Sequence, residues 1–159
     1  MGFKLLERRR DTVLYISSIE EEIGEGADWK AYITTGQEGH LNLKGDPARF
    51  RVRPAEQRLI ERAESATGIS RSNTRQDLNA DFARELCRWL VVDIENCPDE
   101  WRTIDDGSKE GQRIRITARD RGEVVLSREI VDRLPDVVCL ELAGRGLTLA
   151  IAPEEARGK

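Results

Sequence analysis

The chain has little of what most enzyme chemistry is made from. Its 159 residues include one histidine, three cysteines and one methionine. A zinc site draws its ligands from Cys and His at close spacing. Here Cys87, Cys97 and Cys139 stand far apart, and His40 is remote from all three in the chain. Cys87 and Cys139 sit among apolar residues, which reads as buried free thiols in a reducing compartment. No local motif joins a cysteine to His40 as nucleophile and base. There is no G-x-S-x-G, no P-loop and no H-E-x-x-H, and the "GEG" at Gly24 and "GRG" at Gly144 are too short for a dinucleotide fingerprint. Long apolar runs are also missing: "WLVV" and "LTLAIA" are far below the ~20 residues that cross a bilayer. The start, "MGFKLLERRR", has no secretory signal core, and Leu6 stands where a myristoylation signal needs Ser or Thr. No catalytic residue, cofactor, metal or membrane association is expected.

Charge of one sign is scarce too. Thirty acidic against 26 basic side chains leave a net −4, mixed along the chain. Sequence-independent nucleic-acid binders show a basic excess or block. The one basic block, Arg8 to Arg10, is flanked by Glu7 and Asp11. Acidic runs at Glu20–Glu22 and Asp105–Asp106 lack the alternate oxygen ligands of a calcium loop. Hydrophobic residues make up 38% and charged residues 35%, which suits a small core under a heavily solvated surface, or a chain completed by partners.

Hydrophobic periodicity sets the expected elements. "DTVLYIS" reads as a strand with two apolar faces, and "WKAYITT" and "HLNLKG" as further strands. In "RFRVR", Phe50 and Val52 point inward. Pro54 opens a helix in which Leu59, Ile60, Ala63 and Ala66 share a face, with Gly68 as its stop. "LNADFARELCRWLVVDIEN" predicts one helix along Leu78, Phe82, Leu86, Leu90 and Ile94, capped by Asn79 or Asp81. Trp89 lies off the centre of that stripe. "QRIRITARDRGEVVLS" predicts a hairpin turning at "RDRG". Ser127 caps a third helix, which Pro135 breaks or restarts, and Gly144 ends "DVVCLELAG". "LTLAIAP" reads as a last strand or as continued helix. Strands clustered early and again late argue for α+β, short antiparallel strands packed with about three helices. One domain over 1–159 is expected, with a mobile polar loop near 69–77 and a free tail from about 154.

The candidate site is the row Arg49, Arg51 and Arg53. Alternation puts three guanidinium groups on one sheet face, where forked donors recognise carboxylates or phosphates. The competing reading is a solvated face laced with surface ion pairs, each worth only ~0–1 kcal/mol. A second row, Arg113 and Arg115, would repel the first if the strands were neighbours, unless acids lay between. Trp89 and Trp101 are candidate aromatic anchors for a partner. The net negative charge ranks protein contact ahead of a small nucleic-acid-binding regulatory module.

The stretch "YITTGQEGHLNLKGDPARFRVRPAEQRLIERA" resembles small tail-assembly and structural proteins of tailed bacteriophages. Those carry a strand, a turn and a P-x-x-F-x-[LVI]-R-P-L stretch entering a helix; Pro47, Phe50, Val52, Arg53 and Pro54 match it, and Ala55 departs from it. "LCRWLVVDIENCPDEW" and "LSREIVDRLPDVVCLELA" are similar to later segments of the same proteins. The resemblance covers about two thirds of the chain and implies no enzyme. It implies homo- or hetero-oligomeric contacts with other phage structural or assembly proteins, in the cytoplasm of an infected bacterium or in the virion.

Overall fold

A computed structural model describes residues 12–69, 79–104 and 113–151. Three short strands form an antiparallel sheet in the order β1 (Val13–Tyr15), β2 (Arg49–Val52), β3 (Val91–Glu95). A separate hairpin pairs β4 (Thr117–Asp120) with β5 (Glu123–Leu126). Five α-helices complete the described residues: α1 (Trp29–Thr35), α2 (Gln57–Thr67), α3 (Ala80–Leu90), α4 (Arg128–Arg133) and α5 (Asp136–Ile151). The fold is α+β, with short antiparallel strands packed with helices. The expected loop at 69–77 and the tail from 154 fall outside the described residues except for Ile69, as do Leu78, Arg8–Arg10 and Asp105–Asp106.

The core gathers round α3, which packs against α2, α4, α5 and β5. Phe82, Leu86 and Leu90 are buried along its stripe, and Ala83 and Cys87 widen it. Asn79 caps its start, its side chain accepting from the backbone N–H of Asp81 and Phe82. The helix stops at Leu90, and the chain runs straight on into β3. The single long helix expected through Ile94 is therefore cut short. Val91, Val92 and Ile94 are β-branched and fit a pleated surface, and Val91 and Ile94 fill the core from there. The outward positions Asp93 and Glu95 stand opposite Arg51 and Arg49 of β2, where opposite charges stabilise the pairing.

"WKAYITT" is a helix, α1, not a strand. Asp28 caps it by accepting from Ala31 N–H, and Gly36 ends it in the left-handed region at φ 73°. Trp29 and Tyr32, three apart, share a helix face and pack with Tyr15. "HLNLKG" is likewise no strand: Glu38–Leu41 form a 3₁₀ turn that Asn42 closes with positive φ. Leu41 of that turn is nevertheless buried in the core.

Several of the remaining signals act locally as anticipated, but Pro54 does not open α2, whose N-cap is Glu56, two residues further on. Gly68 ends α2 at φ 71°. Ser127 caps α4 by accepting from Ile130 N–H. Pro135 splits the third helix into α4 and α5, the restart foreseen as one of two outcomes. Arg121 and Gly122, both at positive φ, make a two-residue turn between β4 and β5, as a type I′ hairpin requires. Ile114 and Ile116 precede the hairpin rather than forming its first strand. Gly144 does not end α5; the helix runs through "GRGLTLAI" to Ile151, so the "LTLAI" part of the last segment continues helical packing, and Ala152 and Pro153 lie outside the described residues.

Candidate contact surface

Arg49 and Arg51 of β2 share its outward side, since Phe50 and Val52 are buried, while Arg53 lies one residue beyond the strand. Each guanidinium is engaged within the chain. Arg49 makes a two-pronged bond to Glu38 and an ion pair with Asp46. Those bonds hold its pKa above the usual arginine value. Arg51 donates to Glu95 at 2.8 Å and to the Thr12 hydroxyl at 3.0 Å. Arg53 reaches furthest in. Its Nε donates to the Trp89 carbonyl at 2.9 Å, one of the last carbonyls of α3, and its terminal nitrogens bind Glu123 and the Val124 carbonyl. Burial lowers its pKa, although Glu123 opposes the shift. Arg53 thus joins β2, the end of α3 and the β5 hairpin. The Arg113–Arg115 row is not a neighbour of this one: Arg113 bridges to Thr103 and pairs with Asp99.

The two tryptophans occupy different settings. Trp89 is only 3% exposed, with the guanidinium groups of Arg62 and Arg88 over its ring. Its indole N–H has no hydrogen-bond partner among the described residues. Beside it lies a surface hollow of about 220 Å³ carrying Arg62, Arg88, Arg121 and Arg128 against Glu85 and Asp120. Glu85 is buried and held by Arg128 and Arg88. Trp101 is half-buried and stacks on Phe50 with ring centres 5.8 Å apart.

The thiols are quiet. Cys87 and Cys139 are buried and unpaired, as expected, and the neighbouring Cys139 thiol together with burial pushes the Cys87 pKa up. Burial also raises the half-buried Cys97 thiol, to about 11. His40 lies in the 3₁₀ turn, where its carbonyl accepts from Asp28 N–H. Among the described residues no three His, Cys, Asp or Glu side chains converge as metal ligands, and no helix is long and apolar enough to cross a membrane.

A further surface escaped the sequence reading. In α5, Val138, Cys139, Leu142, Ala143, Gly146 and Leu149 face the core. The opposite side is also apolar. Val137, Leu140, Gly144, Leu147 and Ile151 follow alternating spacings of three and four residues, so they line one stripe. Val137 is 44% exposed and Ile151 86%, Leu140 and Leu147 are half-buried, and a Cβ on Gly144 would touch nothing within 4 Å. Beside the stripe, Glu141 accepts hydrogen bonds from Tyr15 O–H and from Ser18. Ile19, 47% exposed, follows Ser18 in the chain. Arg145 donates to the carbonyl of Ile33, itself 41% exposed. The four large apolar side chains most exposed among the described residues are thus on α5 or on segments hydrogen-bonded to it. The sequence signal was available: a helix that is apolar on both sides has more apolar surface than one core can cover.

Comparison with protein-family models, with curated proteins and with solved structures gives no match.

Proposed function

We propose that the protein is a non-enzymatic structural or assembly protein that works through protein–protein contacts. The observation that carries this reading is the outer side of α5, flanked by Ile19 and Ile33. Apolar side chains concentrated on one exposed face mark interaction sites, whereas scattered ones need no explanation. The resemblance of "GDPARFRVRP" and the later segments to tailed-phage proteins supports a place in tail assembly or in the virion. Of the candidate residues, Arg49, Arg51 and Trp101 keep part of their surface open and remain available for contact. Arg53 and Trp89 contribute by holding the scaffold that presents it.

A tagged chain purified from infected cells is expected to retain virion proteins, and Val137→Asp is expected to release them. Mass spectrometry of finished particles then separates a resident subunit from a chaperone. Retention unaffected by Val137→Asp would take α5 out of the contact.

The hollow beside Trp89, with four arginines against two carboxylates, favours a second reading, a small nucleic-acid-binding module. Phosphate contacts make such binding fall steeply with salt. A gel shift at low salt that disappears as salt is raised, together with no captured virion protein, would replace the first reading by the second.

A further inference from the structure

We infer that the outer stripe of α5 is covered by the same stripe of a second copy of this chain, the two helices lying antiparallel across a two-fold axis at Gly144. This deepens the contact reading above and rests on it.

The stripe is nearly symmetrical about its centre. Val137 and Ile151 lie seven residues to either side of Gly144, about 10 Å along the axis, and Leu140 and Leu147 lie four and three residues away. A two-fold axis through Gly144 sets Val137 against Ile151 of the other copy and Leu140 against Leu147. This is the self-complementarity that an isologous dimer demands. Gly144 itself weakens a helix interior, and a Cβ there would meet nothing within 4 Å, so no close packing within the chain calls for glycine at this position. At a crossing point, its missing side chain lets the two backbones approach closely.

Charge complementarity chooses the direction. Glu141 and Arg145 sit on the same flank of the stripe. Arg145 forms no ion pair among the described residues, and its Nε is buried without an acceptor. Antiparallel two-fold pairing keeps this flank on one side and reverses the axis. Glu141 of each copy then stands only about 3 Å along the axis from Arg145 of the other, while the two Glu141 are about 9 Å apart. Each Arg145 gains a carboxylate it lacks in its own chain. Ile19, beside Glu141, comes to face Ile33, beside Arg145. Opposed helix dipoles favour the same direction.

The outer side of α5, about 24 Å long and about 10–12 Å across for a 16-residue helix, would cover about 500 Å² over two copies, and the segments carrying Ile19 and Ile33 add to it toward the ~1,000 Å² of a specific interface.

Light scattering on the eluting wild-type chain should return twice the 18.0 kDa chain mass. Gly144→Arg places like charges at the axis and should weaken pairing by about 100-fold or more, leaving the monomer folded because the site is open. Val137→Asp should act in the same direction. In a Cys97→Ser background, Val137→Cys mixed with Ile151→Cys should cross-link between chains, and Val137→Cys alone should not. A single-chain mass for the wild type overturns the inference, as does a doubled mass that both variants leave intact. A cross-link from Val137→Cys alone overturns the antiparallel arrangement. If the wild type is a single chain but still captures virion proteins through α5, self-pairing fails while the contact reading stands; with no capture either, both fail.

Discussion

At the scale of single residues, the arginines of β2 and of the residue just after it separate into two surface pairs, at Arg49 and Arg51, and a clamp, at Arg53. Arg53 is mostly buried and ties Trp89, Glu123 and Val124 together, so its removal takes a donor from two carbonyls and leaves Glu123 to Arg58 alone. Arg53→Ala should cost about 2–3 kcal/mol in urea unfolding. Arg49→Ala, breaking the Glu38 and Asp46 pairs at the surface, should cost no more than about 1 kcal/mol. Equal losses would mean that Arg53 is not a clamp. Glu123 extends the argument to pH. Burial pushes its pKa up, but the bond from Arg58 and the charge of Arg53 outweigh this and hold it below the usual carboxylate value. A carboxyl with a depressed folded-state pKa stabilises the fold above its unfolded value, about 4.3. That contribution is lost as pH falls through the lower, folded value. Glu123→Gln should therefore be less stable than wild type at neutral pH, and the gap should close on acidification below about pH 4. A gap that stayed constant with pH would remove the ionised carboxylate from the account. Cys97 gives a third test. With its thiol raised to about 11, alkylation should be slow at pH 8 and accelerate only as pH approaches that value.

At the scale of elements, α5 carries two glycines with opposite duties. A Cβ on Gly146 would lie 2.3 Å from Leu90 Cδ1 and 3.2 Å from the Arg53 carbonyl, and the Gly146 carbonyl accepts from Ala55 N–H. Close packing of α5 on α3 and the end of β2 depends on that gap. Gly146→Ala should destabilise by about 1–3 kcal/mol. Gly144→Ala meets nothing and should stabilise the folded monomer by about 0.5–1 kcal/mol. Thermal unfolding of the two variants, measured at a concentration where the chain is monomeric, should move in opposite directions; parallel shifts would contradict the packing described. The same elements show how far the sequence could be read. Local signals were legible: Asn79, Ser127, Gly68 and Pro135 each act where their chemistry directs. Residues with two plausible periods were not. Trp29 and Tyr32 suit a strand by propensity, but Asp28 and Gly36 bracket them as helix caps, and burial against Tyr15 fits the helical spacing. Ile94 continues the four-residue repeat of α3, yet β3 claims it because β2 offers Arg49 and Arg51 opposite Glu95 and Asp93. Arg49 and Arg51 alternate with buried Phe50 and Val52 as the pattern suggests, but Glu38, Glu95 and Glu123, the partners of Arg49, Arg51 and Arg53, lie elsewhere in the sequence and carry no local mark. The apolar outer side of α5 was in plain view in "DVVCLELAGRGLTLAI" and was hidden by reading Gly144 as an end.

At the scale of the whole molecule, stability should be unevenly distributed. α3 is surrounded by α2, α4, α5 and β5, so its amides can open only when most of the core is lost. α1 is placed differently. It contacts chiefly the 3₁₀ turn that follows it, and the rest of the molecule holds it through a few long-range links. These are the Tyr32 hydroxyl, which accepts from Ile16 N–H at 2.8 Å, the Arg145 bond to the Ile33 carbonyl, and the ring cluster of Tyr15, Trp29 and Tyr32. Hydrogen exchange should therefore find α1 opening well below the free energy of global unfolding, with α3 and the centre of β2 exchanging at the global limit. Tyr32→Phe removes the buried acceptor and leaves Ile16 N–H unpaired, at a cost of about 1–2 kcal/mol. Because α1 can open by itself, most of that cost should appear there, as exchange faster by roughly five- to thirtyfold, with α3 changed much less. Exchange accelerated equally in α1 and α3 would mean that the two open together. The arrangement would also bear on the contact face. Ile33 belongs to α1, so its position beside α5 is only as stable as the small unit that carries it, and a partner seated across Ile33 and α5 should slow exchange in α1 more than anywhere else.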